Sequence, residues 1–246
     1  MPETMTVIES WVRDRGKLHF TLIDPDKQSP DKAAGMAQMV GDMGSDAIMV
    51  GGSTAGSDIT DECVRAIKNS SSLPVILFPS TAGGVSPLAD YLFFMMLMNS
   101  RSPRFLVQEQ AKAAPHLSSM RVEPISMGYV IISTSRKPTT VETIGEVDRI
   151  GKKDVEKAVA YALTAKYYGM SCIYLEAGSG ADHPVNPEVI SNVKEETGLP
   201  LIVGGGVRST GDTQKVLDAG ADVLVTGTIA ERDTKMLAEI ISTVKQ

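Results

Sequence analysis

The feature that most constrains the fold of this chain is a regular alternation of short apolar runs with longer amphipathic segments. Eight runs have the length of β-strands, and most are followed by a segment whose apolar residues have helical spacing. The predicted strands are residues 18–23, 47–50, 74–78, 91–98, 128–133, 172–177, 199–203 and 222–226. The predicted helices are residues 31–43, 61–68, 105–113, 153–168, 187–197, 210–219 and 229–245. Strands that alternate with helices in this way indicate a parallel sheet with helical crossovers.

The eight strand–helix units indicate a closed barrel. The predicted strands are mostly continuous apolar runs, which is typical of sheets covered on both faces. Spread over 246 residues, the units average about 31 residues each, the size of a β–α–β unit. We therefore predict a closed (β/α)8 TIM barrel, a single α/β domain over residues 1–246, with an open doubly wound sheet as the alternative. The polar residues 136–151 are predicted to form an excursion between the fifth strand and its helix.

Charge and cysteine content exclude several classes of function. The chain has 24 basic and 30 acidic residues, a net charge of −6, and no cluster of Lys and Arg that would hold nucleic acid. Its two cysteines, Cys63 and Cys172, form no CxxC pair, which favours a reducing compartment. We see no signal-peptide pattern and no stretch apolar enough to span a bilayer. These observations predict a cytoplasmic protein that binds no nucleic acid and does not span a membrane.

Glycines end the last two predicted strands and indicate a phosphate site. The segments VGGGVRS (residues 203–209) and ADVLVTGTIA (residues 221–230) each pass from a strand into a helix. A glycine lets backbone N–H groups approach a phosphate, and the loops after strands seven and eight are the usual phosphate site of barrel enzymes. The alternative is that these glycines only form tight turns.

The segment YLEAGSGA (residues 174–181) places one carboxylate, Glu176, at the end of the sixth strand beside flexible glycines. These glycines resemble a dinucleotide-binding loop, but the GxGxxG pattern requires a third glycine where this chain has His183. Glu176 is a candidate general base or ligand of a sugar hydroxyl, and a purely structural role is the alternative.

The segment LIDPDK (residues 22–27) places Asp24 at the end of the first strand. An Asp-Pro turn explains this residue without any function. The functional hypothesis is a Mg²⁺ ligand, because Mg²⁺ prefers carboxylate, hydroxyl and phosphate oxygens. The neighbouring GGSTAG (residues 51–56) offers the hydroxyl of Ser53 or Thr54 as a second ligand.

Methionine is unusually frequent, with 13 residues against 1 Trp, 6 Tyr and 5 Phe. Such flexible apolar residues usually fill a core, although they would also suit a long lipid chain. The three histidines, His19, His116 and His183, show no zinc spacing and are predicted to be structural or at the surface.

Five of these segments together resemble the geranylgeranylglyceryl phosphate synthase family, which is related to bacterial heptaprenylglyceryl phosphate synthase. They are HFTLIDPDK, VGGS, YLEAGSGA, VGGGVRS and ADVLVTGT, in this order, and the resemblance covers nearly the whole chain. It implies a modified TIM barrel that uses Mg²⁺ to join sn-glycerol 1-phosphate to a polyprenyl diphosphate. With geranylgeranyl diphosphate, this is the first ether-bond step of archaeal membrane phospholipid synthesis.

The resemblance also implies roles for individual residues. It makes Asp24 and Ser53 the Mg²⁺ ligands. Because a hydroxyl is a poor nucleophile, the implied reaction also needs a base to take its proton, and we expect Glu176 to be that base. The glycerol phosphate would be surrounded by Tyr174, Leu175, Glu176, Ala177, Gly178, Ser179 and Gly180. Its phosphate would be held by Gly205, Gly206, Gly227 and Thr228. Some relatives have a lysine two residues before the metal Asp, where this chain has Leu22, so a lysine contact to phosphate at that position is not expected.

The TLIDPD form is similar to the second group of that family, which implies a homo-oligomer built from dimers, up to a hexamer. A lipid product implies contact with a membrane surface during product release.

Two other hypotheses for the function remain open from the residues. A phosphosugar isomerase or lyase on the same barrel would need an acid–base pair and no metal, and a non-catalytic phosphometabolite sensor would need neither Glu176 nor Asp24.

Overall fold

Eight parallel strands form a closed barrel in the computed structural model, which describes residues 5–52 and 56–246. The strands are β1 (Leu18–Ile23), β2 (Ala47–Val50), β3 (Val75–Leu77), β4 (Tyr91–Leu97), β5 (Glu123–Ile131), β6 (Cys172–Glu176), β7 (Leu201–Gly204) and β8 (Val223–Thr226). Each strand pairs with the next, and β8 pairs with β1, so the barrel has no free edge. The predicted (β/α)8 barrel is therefore confirmed, and the open doubly wound sheet is excluded.

Ten α-helices surround or cap the barrel in the described part of the chain. They are α1 (Val7–Arg15), α2 (Pro30–Asp42), α3 (Ser57–Ser70), α4 (Glu109–Leu117), α5 (Thr140–Ile144), α6 (Val155–Tyr167), α7 (Pro187–Thr197), α8 (Thr210–Asp218), α9 (Thr228–Arg232) and α10 (Thr234–Val244). Several boundaries differ from the sequence predictions, and two of the differences are large. The helix predicted at residues 229–245 is divided at Asp233, whose side chain caps α10 by accepting a hydrogen bond from Met236 N. Strand β5 begins at Glu123, five residues earlier than predicted.

Helix α1 covers the end of the barrel at which the strands begin, and it was not predicted. A capping box between Thr6 and Glu9 starts this short helix. Ile8 is fully buried, and the Trp11 ring makes edge-to-face contacts with Phe20 and Tyr91 at centroid distances of 6.1 and 5.3 Å. Because α1 covers this end, ligands can reach the barrel interior only from the other end.

The two faces of each strand contribute to different parts of the core. Side chains such as Phe20, Met49 and Tyr174 fill the barrel interior. The alternate side chains, such as Leu175, pack between the barrel and the helices. The methionines near residues 36–43 pack in this outer layer, as a core role predicts.

The helical layer has a gap between β3 and β4. These strands are joined by a three-residue 3₁₀ turn, Ala82–Gly84, in place of a helix. After β4, a π-helical turn, Arg104–Gln108, leads directly into α4. The missing helix is the point at which this barrel departs from the regular (β/α)8 pattern. Its absence opens an apolar groove beside β3 and β4, at the end of the barrel where the strands end.

The predicted excursion after β5 contains α5 and is fixed at its base by a buried carboxylate. Glu142 accepts hydrogen bonds from Ser133 Oγ, Thr139 N and Arg149 Nε at 2.5, 2.7 and 3.2 Å. These bonds tie α5 to the end of β5.

None of the helices in residues 5–52 and 56–246 is long and apolar enough to cross a membrane.

Candidate active site

A cavity of about 640 Å³ opens at the carboxyl ends of the strands. Most of the residues that the sequence singled out line it together. They are Asp24, Tyr174, Glu176, Gly178, Ser179, Gly180, Gly205, Gly206, Gly227 and Thr228. The barrel thus brings residues from four strand ends, those of β1, β6, β7 and β8, to one site, although their individual roles stay predictions.

Three predicted site residues stand apart from this group. The side chains of Leu175 and Ala177 point away from the cavity into the apolar layer between barrel and helices. They are therefore able to contribute to a ligand site only through their main chain. Ser53 lies outside the described residues, so its predicted role as a metal ligand stays a prediction.

Glu176 is the last residue of β6 and points into the barrel with only 7% of its surface exposed. Its Oε1 accepts a hydrogen bond of 2.5 Å from Gly178 N. Burial raises the pKa of the Glu176 carboxyl above its ordinary value, and the Tyr174 hydroxyl and Gly178 N–H offset this only in part. The result is a carboxylate that gains a proton more readily than one in water, as a general base requires.

An aromatic cluster forms the floor of the cavity beneath Glu176. The ring centroids of Phe78, Tyr129 and Tyr174 lie 5.3 to 5.6 Å apart. Burial, and then the Glu176 charge, raise the pKa of both tyrosines well above the ordinary value, so both phenols stay neutral. The Tyr174 hydroxyl lies near enough to Glu176 to affect its pKa, but it has no hydrogen-bond partner of good geometry among the described residues.

The glycines after β7 adopt a conformation that few other residues tolerate. Gly205 and Gly206 have φ angles of 80° and 72°. A Cβ atom on Gly205 would overlap the Glu176 carboxylate, and one on Gly206 would overlap the carbonyl of His183. The backbone can therefore pass this close to Glu176 and to the β6–α7 loop only where a side chain is absent.

Two contacts hold the loops around these glycines together. The Ser179 and Thr228 hydroxyls are 3.3 Å apart, which links the β6–α7 loop to the start of α9. Arg208 Nη2 donates a hydrogen bond of 2.7 Å to the carbonyl of Ala181. The result is a small polar region with backbone N–H groups and hydroxyls, suited to a phosphate.

On the other side of the cavity, Asp24 follows β1. Asp24 Oδ2 forms an ion pair of 2.7 Å with Lys27 Nζ, and Oδ1 accepts a hydrogen bond from Asp26 N. A Cβ on Gly52 would overlap Asp24 Oδ1, so the glycine keeps this carboxylate close to the end of β2. Residues 5–52 and 56–246 contain no group of three or more His, Cys, Asp or Glu side chains that could hold a metal ion. Any ion at Asp24 therefore needs ligands of another kind.

The cavity continues into the groove left by the missing helix between β3 and β4. Its walls there are apolar, and they include Val85, Leu92, Phe94, Phe105 and Ala113. Glu109 at the start of α4 accepts a hydrogen bond of 2.9 Å from Ala82 N, which attaches the 3₁₀ turn to this helix. The groove is thus a built part of the fold, continuous with the polar region near Glu176.

Comparison with known proteins places this architecture in a family. A model of the PcrB family matches residues 9–245. This chain belongs to the PcrB family. The geranylgeranylglyceryl phosphate synthase of Thermococcus gammatolerans is 49% identical to it over 217 residues, 88% of this chain and 85% of the relative. The enzyme of that name from Methanosarcina mazei is 45% identical over 244 residues, 97% of this chain and 98% of the relative.

A solved structure agrees with the PcrB-family assignment over nearly the full length. The crystal structure is that of (S)-3-O-geranylgeranylglyceryl phosphate synthase from Thermoplasma acidophilum in complex with sn-glycerol-1-phosphate. It is 41% identical, covers 98% of this chain and 99% of its own, and superposes with a TM-score of 0.92. The family resemblance of the sequence motifs is therefore confirmed.

In this PcrB-family chain, several cavity residues escaped the sequence analysis, and three of them lie close to Tyr174 or Asp24. Phe78 and Tyr129 lie within continuous apolar strands, where nothing distinguishes a cavity-facing residue from a core residue. Lys27 also lines the cavity. Its signal was its place three residues after Asp24, since this spacing lets it return to pair with that carboxylate in the β1–α2 turn.

Proposed function

We propose that this chain is a geranylgeranylglyceryl phosphate synthase, which joins sn-glycerol 1-phosphate to geranylgeranyl diphosphate and releases diphosphate. One observation carries the proposal. A single cavity runs from the glycine loops, past Glu176, to an apolar groove at β4. A phosphorylated polyol fits the glycine loops and a long hydrocarbon fits the groove, so the two substrates meet at Glu176. The names of the PcrB-family relatives support the same reaction.

The glycine loops would bind sn-glycerol 1-phosphate. Gly205, Gly206, Gly227 and Thr228 line the cavity, where their backbone N–H groups would donate to the phosphate. With the phosphate held there, the glycerol hydroxyls extend toward Glu176 and the Tyr174 hydroxyl. Tyr174 has a buried, unpaired hydroxyl in the described structure, and a substrate oxygen would satisfy it.

The reaction exchanges one carbon–oxygen bond for another. The primary hydroxyl oxygen of glycerol phosphate bonds to the allylic C1 of the prenyl group, while the bond from C1 to the diphosphate oxygen breaks. The bonding electron pair leaves with the diphosphate. Glu176 accepts the hydroxyl proton as the new bond forms, and its raised pKa makes it a stronger base than an exposed carboxylate. Positive charge developing at the allylic carbon lets a weak nucleophile react.

The residues near β1 fit a Mg²⁺ ion, although the described residues hold no multi-carboxylate cluster. Mg²⁺ commonly takes one or two carboxylates and completes its shell with substrate phosphate oxygens and water. We propose Asp24 as the protein carboxylate, with Ser53 as a second ligand. When bound, the ion would neutralise charge on the leaving diphosphate. Lys27 beside Asp24 adds a second positive charge at this end of the cavity.

The groove between β3 and β4 would bind the prenyl chain. Burial contributes about 0.8 kcal/mol per CH₂ group, so a chain of about twenty carbons gains far more than binding requires. Affinity alone would then distinguish poorly between chain lengths. We propose that the walls of the groove set the accepted length by steric exclusion.

Neither of the two alternative functions accounts for every part of the cavity. A phosphosugar isomerase or lyase uses the glycine loops and Glu176 but not an apolar groove beside them. A phosphometabolite sensor explains neither the groove nor a buried carboxylate with a raised pKa. No feature of the described residues favours either over prenyl transfer.

Three further expectations rest on the resemblance. We propose that the protein is a homo-oligomer built from dimers, up to a hexamer, that it acts in the cytoplasm, and that it contacts a membrane surface when product leaves. Light scattering that gives a mass of several times 26.2 kDa would support the first of these.

One assay tests the proposed function. Labelled sn-glycerol 1-phosphate is incubated with geranylgeranyl diphosphate and the purified protein, with and without Mg²⁺, and the mixture is extracted with organic solvent. Label should enter the organic phase only when both substrates and Mg²⁺ are present. Label that stays in water under all conditions, with protein shown to be folded, would contradict the proposal.

A further inference from the structure

A buried hydrogen-bonded network lies behind the phosphate loop, and the mechanism above does not use it. Its centre is His19 on β1, which is completely buried. His19 Nε2 lies 2.9 Å from Thr226 Oγ1, and Nδ1 lies 3.0 Å from Ser45 Oγ. Leu18 and Phe20 point into the barrel, so His19 points outward to the far side of β8 from the cavity.

The contacts of Ser45 bear on the position of the imidazole proton. Ser45 Oγ lies 3.1 and 3.4 Å from the backbone carbonyls of His19 and Ala47, either of which can accept its hydrogen, and 3.2 Å from Thr21 Oγ1. With that hydrogen on a carbonyl, Ser45 accepts from Nδ1–H, which leaves Nε2 as an acceptor for the Thr226 hydroxyl. Burial, and then the positive charge of Lys245, lower the pKa of His19 to about 3, so this neutral form persists at physiological pH. The Thr226 hydroxyl is therefore held as a donor to a fixed partner.

Thr226 links this network to the active site. It is the last residue of β8, pairs in register with Thr21, and directly precedes Gly227 and Thr228. Thr226 itself, Gly227 and Thr228 all line the cavity where the phosphate would lie, while the Thr226 hydroxyl contacts His19. Fixing the Thr226 side chain fixes the point at which the main chain leaves the sheet, and hence the direction of the N–H groups that follow.

We propose that His19 is a positioning residue, which acts through the Thr226 hydroxyl to orient the main chain of Gly227 and Thr228 toward the phosphate of the glycerol substrate. This role depends on the proposed function, because the phosphate is part of that proposal. It differs from a contribution to stability alone. Replacing both partners of a buried hydrogen bond with apolar groups of similar shape can be nearly neutral for folding.

The first test removes the Thr226 hydroxyl and keeps its shape. Thr226→Val should raise KM and the calorimetric Kd for sn-glycerol 1-phosphate about five- to twentyfold, as expected for loss of one well-placed hydrogen bond. KM for geranylgeranyl diphosphate and kcat should change less than about twofold, because the loop holds only one substrate. Thr226→Ser keeps the hydroxyl and should restore wild-type values.

The second test changes the ring itself. The amide of His19→Gln reaches the position of Nε2 and can still accept from Thr226, whereas that of His19→Asn reaches only toward Ser45. Binding of glycerol phosphate should therefore weaken in His19→Asn and be largely retained in His19→Gln. The double variant His19→Leu/Thr226→Val removes both partners, and it should fold stably yet bind glycerol phosphate as weakly as Thr226→Val.

A matched control separates position from stability. Thr197→Val removes another buried threonine hydroxyl, on α7, which donates a hydrogen bond of 2.6 Å to the Val193 carbonyl. It should lower the melting temperature without changing the Kd. Equal Kd values for wild type, Thr226→Val and Thr197→Val would overturn the role of His19 while the proposed function stands. Failure of the wild-type protein itself to bind sn-glycerol 1-phosphate would instead count against the proposed function.

Discussion

At the residue scale, burial makes the Glu176 carboxylate more basic and lowers the stability of the folded protein when that carboxylate is ionised. Glu176 is removed from water at the end of β6, and its raised pKa shows that the folded protein favours its protonated form. The folded state is therefore most stable, as far as this group is concerned, below the ordinary pKa of a glutamate. That advantage is lost as pH rises through the raised folded-state pKa, so at neutral pH the ionised base costs stability.

Replacing Glu176 with glutamine should therefore have opposite effects on activity and stability. Glu176→Gln keeps an acceptor for Gly178 N but removes the base, so kcat should fall by roughly 10² to 10⁴-fold. The melting temperature should rise at pH 7 and match the wild type at pH values below the ordinary glutamate pKa. Kinetics and thermal melts across pH measure both effects. Glu195→Gln, at an exposed position, is the control and should change neither quantity. A kcat for Glu176→Gln within about threefold of wild type would exclude the role of a base and leave Glu176 as a binding residue only.

The phosphate role of the glycine loop can be separated from backbone strain. Gly206 and Gly198 both have positive φ, at 72° and 67°, so the strain of a left-handed backbone costs alanine about 1–2 kcal/mol at either position. Only at Gly206 would the new Cβ overlap neighbouring backbone, since Gly198 faces open space. Gly206→Ala should raise KM for glycerol phosphate about tenfold or more, with little change for the prenyl substrate. Similar KM values for the two variants would argue against a phosphate at this loop.

The metal proposal is tested at Asp24. Asp24→Asn removes the charge that would hold Mg²⁺ and should abolish turnover, but glycerol phosphate should still bind because its loops are on other strands. Calorimetry with sn-glycerol 1-phosphate measures the retained binding. The exposed Asp31→Asn on α2 serves as the control. Full activity of Asp24→Asn at saturating Mg²⁺ would exclude Asp24 as the essential ligand.

At the element scale, the site depends on an element that the fold leaves out. A regular barrel would cover β3 and β4 with a helix, and here a three-residue turn exposes an apolar groove instead. The turn is held to α4 by Glu109, whose carboxylate also accepts from Arg104 and Lys112 at 2.9 and 3.1 Å. The first turns of α4 therefore form one wall of this apolar groove.

Filling this groove should reduce binding of the long substrate alone. Ala113 on α4 lines the groove and is largely buried. Ala113→Phe should raise KM for geranylgeranyl diphosphate about tenfold, the effect of excluding about two CH₂ groups at roughly 0.8 kcal/mol each. The Kd for glycerol phosphate should not change. Ala114→Phe, at an exposed position of the same helix, is the control. Equal KM values of the two variants for geranylgeranyl diphosphate would place the prenyl chain elsewhere.

The sequence predicted the strands well because each is an apolar run with a polar or glycine-rich exit. It could not predict which side chains face the cavity, because fully buried strands are apolar on both faces and show no alternation. The family resemblance grouped Leu175 and Ala177 with Tyr174 and Glu176, and the apolar pattern gave no reason to separate them, although the structure turns their side chains outward. Tyr129 and Phe78 were missed for the same reason. The gap after β3 was also invisible, because only the closed sheet shows which pair of strands lacks a covering helix.

At the scale of the whole molecule, closure of the barrel assembles the site. Residues from β1, β6, β7 and β8 are up to two hundred positions apart in sequence, yet they share one rim because β8 pairs with β1. Helix α1 covers the opposite end, so both substrates must enter at this rim. The glycine loops and the groove both open into the cavity at Glu176. In the proposed arrangement, the polar substrate and the apolar substrate would stay apart until they react.

A crystal structure with sn-glycerol 1-phosphate and a non-reactive geranylgeranyl diphosphate analogue tests this arrangement most directly. The phosphate should lie against Gly205, Gly206, Gly227 and Thr228, with the prenyl chain in the groove between β3 and β4. The primary hydroxyl should lie about 3 Å from the Glu176 carboxylate, the distance that proton transfer requires. Glycerol phosphate bound away from the glycine loops, or a prenyl chain outside the groove, would contradict the account.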